Sequence, residues 1–332
     1  VLSKTNSAWH IFVALAAYNL AIPLIVSAIV LVLQPFFVLA RRRILAQAKA
    51  KLVSHKNITV IAITGSYGKT STKEFLTTIL STKFKVLATP EHKNSEMGIA
   101  QTILQDLRPE HNIFIVEMGA YNKGGIDLLC NMARPDIGIV TGVNQQHLAT
   151  FGSWENLLSA EGGRELAAQL PGHGILVANG ENVHCLDLYK NFKGNKRLYA
   201  SRANTIDADM WAEDIEVKKE GLDFMLVSRQ KQTAHVAPNV LGAHNIQNLL
   251  GAALVAKELG MTLEEISVAC KKITPAQAGM TLKTGAHGIA VIDSSYSSNP
   301  DGVVADLDYL AIFSGKKVVV MPCLIELGAE SA

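Results

Sequence analysis

Ile58-Thr59-Val60-Ile61-Ala62-Ile63-Thr64-Gly65-Ser66-Tyr67-Gly68-Lys69-Thr70 is the stretch that decides the fold. Its first seven residues form a β-branched apolar run, which predicts a strand buried on both faces of a parallel sheet. The remaining six make a glycine turn ending in Gly-Lys-Thr. Glycines let the backbone turn so that its N–H groups face a phosphate, and a helix beginning near Lys69 adds its positive end. Lys69 supplies a point charge, and Thr70 a hydroxyl for Mg²⁺. The spacing is GxxGKT, shorter than the general GxxxxGKT, so a structural turn with a chance Lys-Thr is the competing reading. A strand before it and a helical pattern after it argue against that alternative.

Outward from this loop, strand and helix patterns alternate. Further strands are predicted at Lys85–Thr89, Asn112–Met118, Asp136–Val143, Gly174–Ala178 and Arg197–Ala200, with helices near 70–82, 95–107, 124–133, 154–169 and 181–191. Such alternation implies a doubly wound α/β domain with a mainly parallel sheet. Short extended runs at Ile215-Glu216-Val217 and Leu222–Ser228 predict a small antiparallel part. Helices near 244–259 and 262–272 follow, then strands near 288–292 and 317–321.

Before the loop the chain is of another kind. The 36 residues between Lys4 and Arg41 contain no Asp, Glu, Lys or Arg. At about 1.5 Å per residue this run exceeds a bilayer core of roughly 30 Å, so it predicts one tilted or Pro23-kinked transmembrane helix. A signal peptide would have a shorter apolar region and a small-residue cleavage site; a buried core helix is the other competitor. Arg41, Arg42, Arg43, Lys49, Lys51 and Lys56 follow with no acid among them, and the first acidic residue is Glu74. The positive-inside rule then puts everything after residue 41 in the cytoplasm, at the cytoplasmic membrane. The basic cluster attracts anionic lipid, although a solvated helix from Arg41 to Val53 would look the same.

Composition sets the outer limits. The 332 residues, 48% hydrophobic and 18% charged, allow two packed domains and exclude disorder. A net charge of +2 offers no argument for a nucleic-acid partner, and four scattered cysteines exclude a zinc ribbon or a disulfide framework.

With the loop TGSYGKT, the chain resembles the Mur ligase family, and within it the branch of UDP-N-acetylmuramoyl-tripeptide–D-alanyl-D-alanine ligases. The resemblance continues in order through Asn94-Ser95-Glu96-Met97-Gly98, Val116-Glu117-Met118-Gly119-Ala120, His147–Ser153 (HLATFGS), Gly242–Asn248 (GAHNIQN), Asp293–Pro300 and Glu326-Leu327-Gly328. Taken with the uncharged run and the basic cluster, it divides the chain into a transmembrane anchor over 1–40, a basic juxtamembrane linker over 41–57, a central ATP-binding domain over 58–314 and, over 315–332, the start of a final ligase domain that this sequence does not complete. The family's N-terminal UDP-recognising domain is expected to be replaced by the span.

The implied activity is ATP-dependent amide formation through an acyl phosphate, with ATP and Mg²⁺ as cofactors. Its substrates would be a peptidoglycan precursor or other carboxylate acceptor, including a lipid-linked one, and an amino acid or dipeptide. Gly65, Ser66, Gly68, Lys69, Thr70 and Ser71 would cradle the phosphates. Glu117, at the end of a buried strand, would share a Mg²⁺ with Thr70, and the resemblance makes His147 a ligand of a second metal. Lys69, Glu117 and His147 are the catalytic candidates. Asn245, Asn248, Asp293 and Asn299 would serve the nucleoside, although helix capping explains one of the first pair equally well. The resemblance assigns Asn94 and Ser95 to the substrate.

Three departures run against this picture. A lysine that the family carbamylates aligns with Gly163, an arginine is replaced by Gly279, and the motif at 293–300 carries Ser294 and Ser297. They leave open a nucleotide-binding membrane scaffold without catalysis, and a folylpolyglutamate- or cyanophycin-type ligase is a further alternative. If Gly163 lies within a helix, a lysine there should cost no stability.

Overall fold

The structure, a computed structural model, describes residues 2–91, 93–201, 207–295 and 300–321. It begins with one helix, α1 (Leu2–Ser54). Two layers of helices then enclose a sheet built from β1 (Thr59–Thr64), β2 (Val86–Ala88), β3 (Ile113–Glu117), β4 (Ile137–Val140), β5 (Ile175–Asn179), β6 (Asn195–Ala200), β7 (Met210–Lys218), β8 (Gly221–Ser228) and β9 (Thr233–Val236). The strand order is β2-β3-β1-β4-β5-β6-β7-β8-β9. All pairs are parallel as far as β6/β7, and the last two, β7/β8 and β8/β9, are antiparallel. This matches the α/β expectation, antiparallel edge included.

The connecting helices are α2 (Lys69–Leu80), α3 (Glu96–Asp106), α4 (Gly125–Ala133), α5 (Leu148–Phe151), α6 (Trp154–Ala160), α7 (Arg164–Gln169), α8 (Val183–Asn191), α9 (Asn245–Glu258) and α10 (Leu263–Cys270). Alternation along β1 shows why both faces are covered. Ile61 and Ile63 pack with Phe75, Leu76 and Ile79 of α2 and with Leu249, Leu250 and Val255 of α9. Val60 and Ala62 point the other way, toward Ile99 and Ile103 of α3 and Leu129 of α4. Successive strand residues face opposite sides, so a strand buried on both must be apolar throughout.

A hairpin of β10 (Thr281–Thr284) and β11 (Ala290–Asp293) with α11 (Pro300–Ala311) completes the described chain. Two expectations change here. Lys317–Met321 has no regular structure, because no described strand pairs with it; Val320 is 93% exposed. The single helix over 154–169 is two, α6 and α7, broken at Gly162-Gly163.

The basic stretch after the apolar run continues α1 without a break. Ala48 and Leu52 are buried against the domain, with Ile44 and Leu45 packed beside them. Lys51 Nζ donates to the Leu104 carbonyl at 2.9 Å, and Arg41 Nε meets Glu96 Oε1 at 2.7 Å. From Trp9 to Leu39, by contrast, the same helix exposes its large apolar side chains on every face. It is long and apolar enough to cross a membrane.

Candidate active site at the phosphate loop

Strand β1 sits between β3 and β4, so its own crossover and the one leading to β4 depart to opposite sides. A crevice opens at such a switch point beyond the carboxyl ends of the strands, and the loop Gly65–Gly68 lies there. Gly65 has φ +142°, and a Cβ on it would fall 2.2 Å from Thr141 Oγ1; Gly68, at φ +75°, would meet Asn248 Oδ1 at 2.5 Å. Only glycine combines those conformations with that approach. Ser66 N–H donates to the Gly142 carbonyl at 2.7 Å, and Thr141 Oγ1 donates to the Tyr67 carbonyl, so the end of β4 holds the loop. Lys69 Nζ folds back to donate to the carbonyls of Gly65 and Ser66. Its ammonium therefore lies at the mouth of the loop, where α2 begins. Ser71 lies in the first turn of α2, half-buried.

Glu117 ends β3 on one side of the loop. Thr70 Oγ1 donates to its Oε1 at 3.1 Å and Asn94 Nδ2 to the same atom at 3.2 Å, while its own N–H donates to Thr89 Oγ1. Behind it, the fully buried Lys73 places Nζ 3.3 Å from Glu117 Oε2 and 3.2 Å from Glu74 Oε1. That ammonium makes no aligned hydrogen bond, so its hold on Glu117 is one of charge rather than direction. The expected Glu117–Thr70 pair is thus present. Lys73 was not anticipated, although its spacing of four residues from Lys69 puts it on a neighbouring face of the same helix.

On the other side lies Glu161, a residue the sequence reading did not single out. It is 2% exposed, its Oε1 is 2.8 Å from His147 Nδ1, and Ser66 Oγ donates to its Oε2 at 2.7 Å. Burial alone would raise its carboxyl; the His147 hydrogen bond, the Lys69 charge and the Ser66 hydroxyl together hold it below the usual range. Its neighbours in sequence made it look like part of a helix. Only the turn after α6 brings it under the loop.

That turn also corrects the reading of Gly163. The residue is not inside a helix but in the left-handed region, φ +80°, ahead of α7, and a Cβ there would sit 2.4 Å from Val140 Cγ2. A lysine at 163 would be strained and overpacked, and the anionic oxygen facing His147 comes from Glu161 instead. Gly279 is likewise left-handed, φ +75°, closing the turn at 275–278.

The remaining expected residues separate into two groups. Asn248 packs on Gly68 and lies 3.4 Å from Thr72 Oγ1, while its Nδ2 donates to Asn245 Oδ1; Asn245 is fully buried behind it and donates to the Leu241 carbonyl. Both reach the loop from the rear. Their neighbour His244 is driven down to about 4 by burial. Asn94 lies against Glu117, whereas Ser95 caps α3 by accepting from Gly98 N–H at 3.4 Å. Asp293 lies apart on β11, where Lys283 at 2.8 Å and Ser295 hold its carboxyl down to about 2. Asn299 lies outside the described residues. The hairpin side approaches the loop through Asn144, whose Nδ2 donates to Asp301 of α11 at 2.9 Å and whose N–H donates to Ser66 Oγ.

Among the described residues, no three His, Cys, Asp or Glu side chains converge into a self-sufficient metal cage. The donors present suit Mg²⁺ all the same, since that ion takes one or two carboxylates together with phosphate oxygens and water. Thr70 with Glu117 is one such pair, and Glu161 with His147 is a second.

A glycine loop opening a helix at the switch point of a doubly wound sheet, flanked by two buried carboxylates, defines a nucleotide-binding α/β protein of the P-loop class. The Mur ligase middle domain matches residues 63–256, and the chain belongs to the Mur ligase family. It is 31% identical over 272 residues to the UDP-N-acetylmuramoyl-tripeptide–D-alanyl-D-alanine ligase of Escherichia coli (strain K12), covering 82% of this chain and 59% of that one. The enzyme of the same name from Mycobacterium tuberculosis (strain ATCC 25618 / H37Rv) is 34% identical over 275 residues, covering 82% and 53%. Among solved structures, MurF from Acinetobacter baumannii superposes with a TM-score of 0.80 at 27% identity, covering 88% of this chain and 62% of that one. The MurF ligase from Thermotoga maritima in complex with ADP gives 0.77 at 25%, covering 88% and 65%. The chain therefore spans a little more than half the length of the curated relatives it matches.

Proposed function

We propose that this chain is the membrane-anchored, ATP-binding part of an amide ligase of peptidoglycan precursor synthesis, joining a dipeptide to the carboxylate of a muramoyl tripeptide. The names of its relatives point to D-alanyl-D-alanine as the dipeptide. The observation that carries the reading is the pair of buried carboxylates flanking the loop, Glu117 against Thr70 and Glu161 against Ser66.

A carboxylate is a poor acyl electrophile, so it is first phosphorylated. One of its oxygens attacks the γ-phosphorus and ADP leaves; the amine then attacks the acyl carbon, inorganic phosphate leaves with the C–O bond electrons, and the amine proton passes to solvent. The loop N–H groups and Lys69 hold the phosphates in line, and the charge of Lys73 balances that of the Glu117 carboxylate beside Thr70. Mg²⁺, when bound by these oxygens, screens the charge of the transferring phosphoryl group. Positioning and electrostatics supply most of the catalysis, so no protein nucleophile is required. Glu161 with His147 argues against a catalytically silent scaffold, since the anionic partner missing at Gly163 is supplied two residues earlier.

The anchor is the outer part of α1, with Arg41–Arg43 on the cytoplasmic side. Flotation of the protein with phospholipid vesicles tests it, and protease added to inside-out vesicles should digest the domain after residue 57. The ligase reading predicts multiple-turnover ADP formation that requires both muramoyl tripeptide and dipeptide and falls about a hundredfold or more in Glu117→Gln. ADP release indifferent to the acceptor would defeat it.

A further inference from the structure

Helix α1 carries two messages in one rigid rod: where the apolar run ends and which edge of the domain it ends against. Its inner part runs parallel to α3. Arg41 pairs with Glu96 at the start of α3, Lys51 reaches Leu104 near its end, and the His55 ring lies 3.1 Å from the Arg108 carbonyl beyond it. Helix α3 starts at the carboxyl edge of the sheet, the edge that holds the phosphate loop, and runs toward the opposite edge. Followed backward past Arg41, α1 therefore leaves the domain over the catalytic edge and not beneath it.

The separation is short. Glu96 is two residues, at most about 7 Å of chain, from Asn94, whose amide donates to Glu117 Oε1 at 3.2 Å. Uncharged sequence begins immediately before Arg41, at Ala40. Pro35 lies within the helix beyond that point, and a bend at a proline would redirect a helix without reversing it. Arg42 and Arg43 are exposed and form no ion pair among the described residues, and they stand at the same level. Guanidinium groups in that position suit phosphate and diphosphate oxygens.

We infer that the catalytic edge faces the bilayer and that the acceptor it takes is a membrane-resident carboxylate: a muramoyl tripeptide carried on a lipid diphosphate rather than free in solution. The inference rests on the anchored-ligase reading above and adds the carrier of the substrate. Confining enzyme and acceptor to one surface raises their effective concentration with no new contact, and a mouth pointing into bulk water would forfeit that gain.

Two measurements on the full chain in vesicles of phosphatidylcholine and phosphatidylglycerol test it. In the first, Cys323→Ser protein is labelled at Tyr121→Cys, on the loop after Glu117 and 70% exposed, or at His173→Cys, at the opposite edge with its side chain 79% exposed. Headgroup-nitroxide lipid should quench the probe at 121 at least threefold more than the probe at 173. Equal quenching, or the reverse order, overturns the inference while leaving the anchor standing; failure to float with the vesicles removes the anchor itself.

In the second, ADP release in the presence of D-alanyl-D-alanine is followed with a polyprenyl-diphosphate-linked muramoyl tripeptide in the same vesicles, or with the UDP-linked tripeptide in solution. Vesicles of phosphatidylglycerol without tripeptide show whether anionic headgroups alone account for a response. Half-saturation at a tenfold or greater lower total concentration of the lipid-linked form is the expected result. Equal or better use of the UDP-linked form overturns the inference and keeps the ligase; ADP release with neither overturns both.

Discussion

Glu117 and Glu161 lie on opposite sides of the phosphate loop, both nearly fully buried and both accepting from a loop hydroxyl, yet their partners are of different kinds. Glu117 has Lys73, a buried ammonium with no route to water. Glu161 has His147, an imidazole one fifth exposed at its side chain, with Lys69 contributing from the loop. A carboxylate held by a buried lysine is a fixed part of the core, since losing either partner strands a charge in a medium that solvates it poorly. One held by a partly exposed histidine can be retuned when a metal takes the imidazole. The loop thus has a rigid wall and an adjustable one.

Breaking the rigid wall should have the largest effect. Lys73→Met keeps the volume and removes the charge facing Glu117, and is expected to lower unfolding free energy by about 3–5 kcal/mol, read from urea denaturation. A loss below about 1 kcal/mol would mean that water or Asn94 already satisfies Glu117.

Acid probes another half-buried imidazole, His244, next to Asn245 behind the loop. Its value in the folded protein is about 4 against an ordinary 6.5, so below 6.5 the unfolded chain binds a proton the native one refuses. Stability is complete above that pH and is lost as pH falls toward 4; between pH 7.5 and 5 the loss should be roughly 2 kcal/mol. His244→Asn should flatten that part of the urea-midpoint profile. An unchanged profile would locate the acid sensitivity elsewhere. Glu161 acts lower down: its carboxyl is held below the usual range, so its contribution is present above the unfolded value and disappears as pH drops through the folded one.

Gly163→Ala tests the turn that delivers Glu161. A left-handed backbone and a contact of 2.4 Å with a buried valine should cost about 2–3 kcal/mol. If the protein is as stable as the parent, the turn is not as described. Glu161→Gln, which keeps shape and one of the two accepting oxygens, should cost only about 1–2 kcal/mol, clearly less than the Lys73 change; equal losses would erase the distinction between the two walls. The smallest effect on stability is expected for Lys69→Ala, within about 0.5 kcal/mol, with ATP-Mg²⁺ binding weakened about tenfold or more by calorimetry. Unaltered binding would reduce the loop to a turn.

The alternation of apolar strands and helices, the glycine loop and the strand-end Glu117 were legible because each is a local pattern: a period of two, a period near 3.6, a turn that only glycine permits. The uncharged run before Arg41 was legible for the same reason, as a matter of length and composition. Four things were not. Glu161 meets Ser66 across 95 residues of sequence, a contact that exists only because β4 lies beside β1. Lys73 reads as an ordinary helix-surface lysine until β3 closes over it. Gly163 looks like a helix residue because its positive φ comes from the packing of α6 and α7 against Val140. The direction in which α1 leaves the domain depends on its register against α3, set by Ala48, Leu52 and the Arg41–Glu96 pair. Local pattern determines which elements form, whereas the distance between groups remote in sequence is decided by the order in which strands pair. For this chain, that order decides which carboxylates reach the phosphate loop, and the packing of α1 on α3 decides over which edge of the sheet the apolar helix leaves.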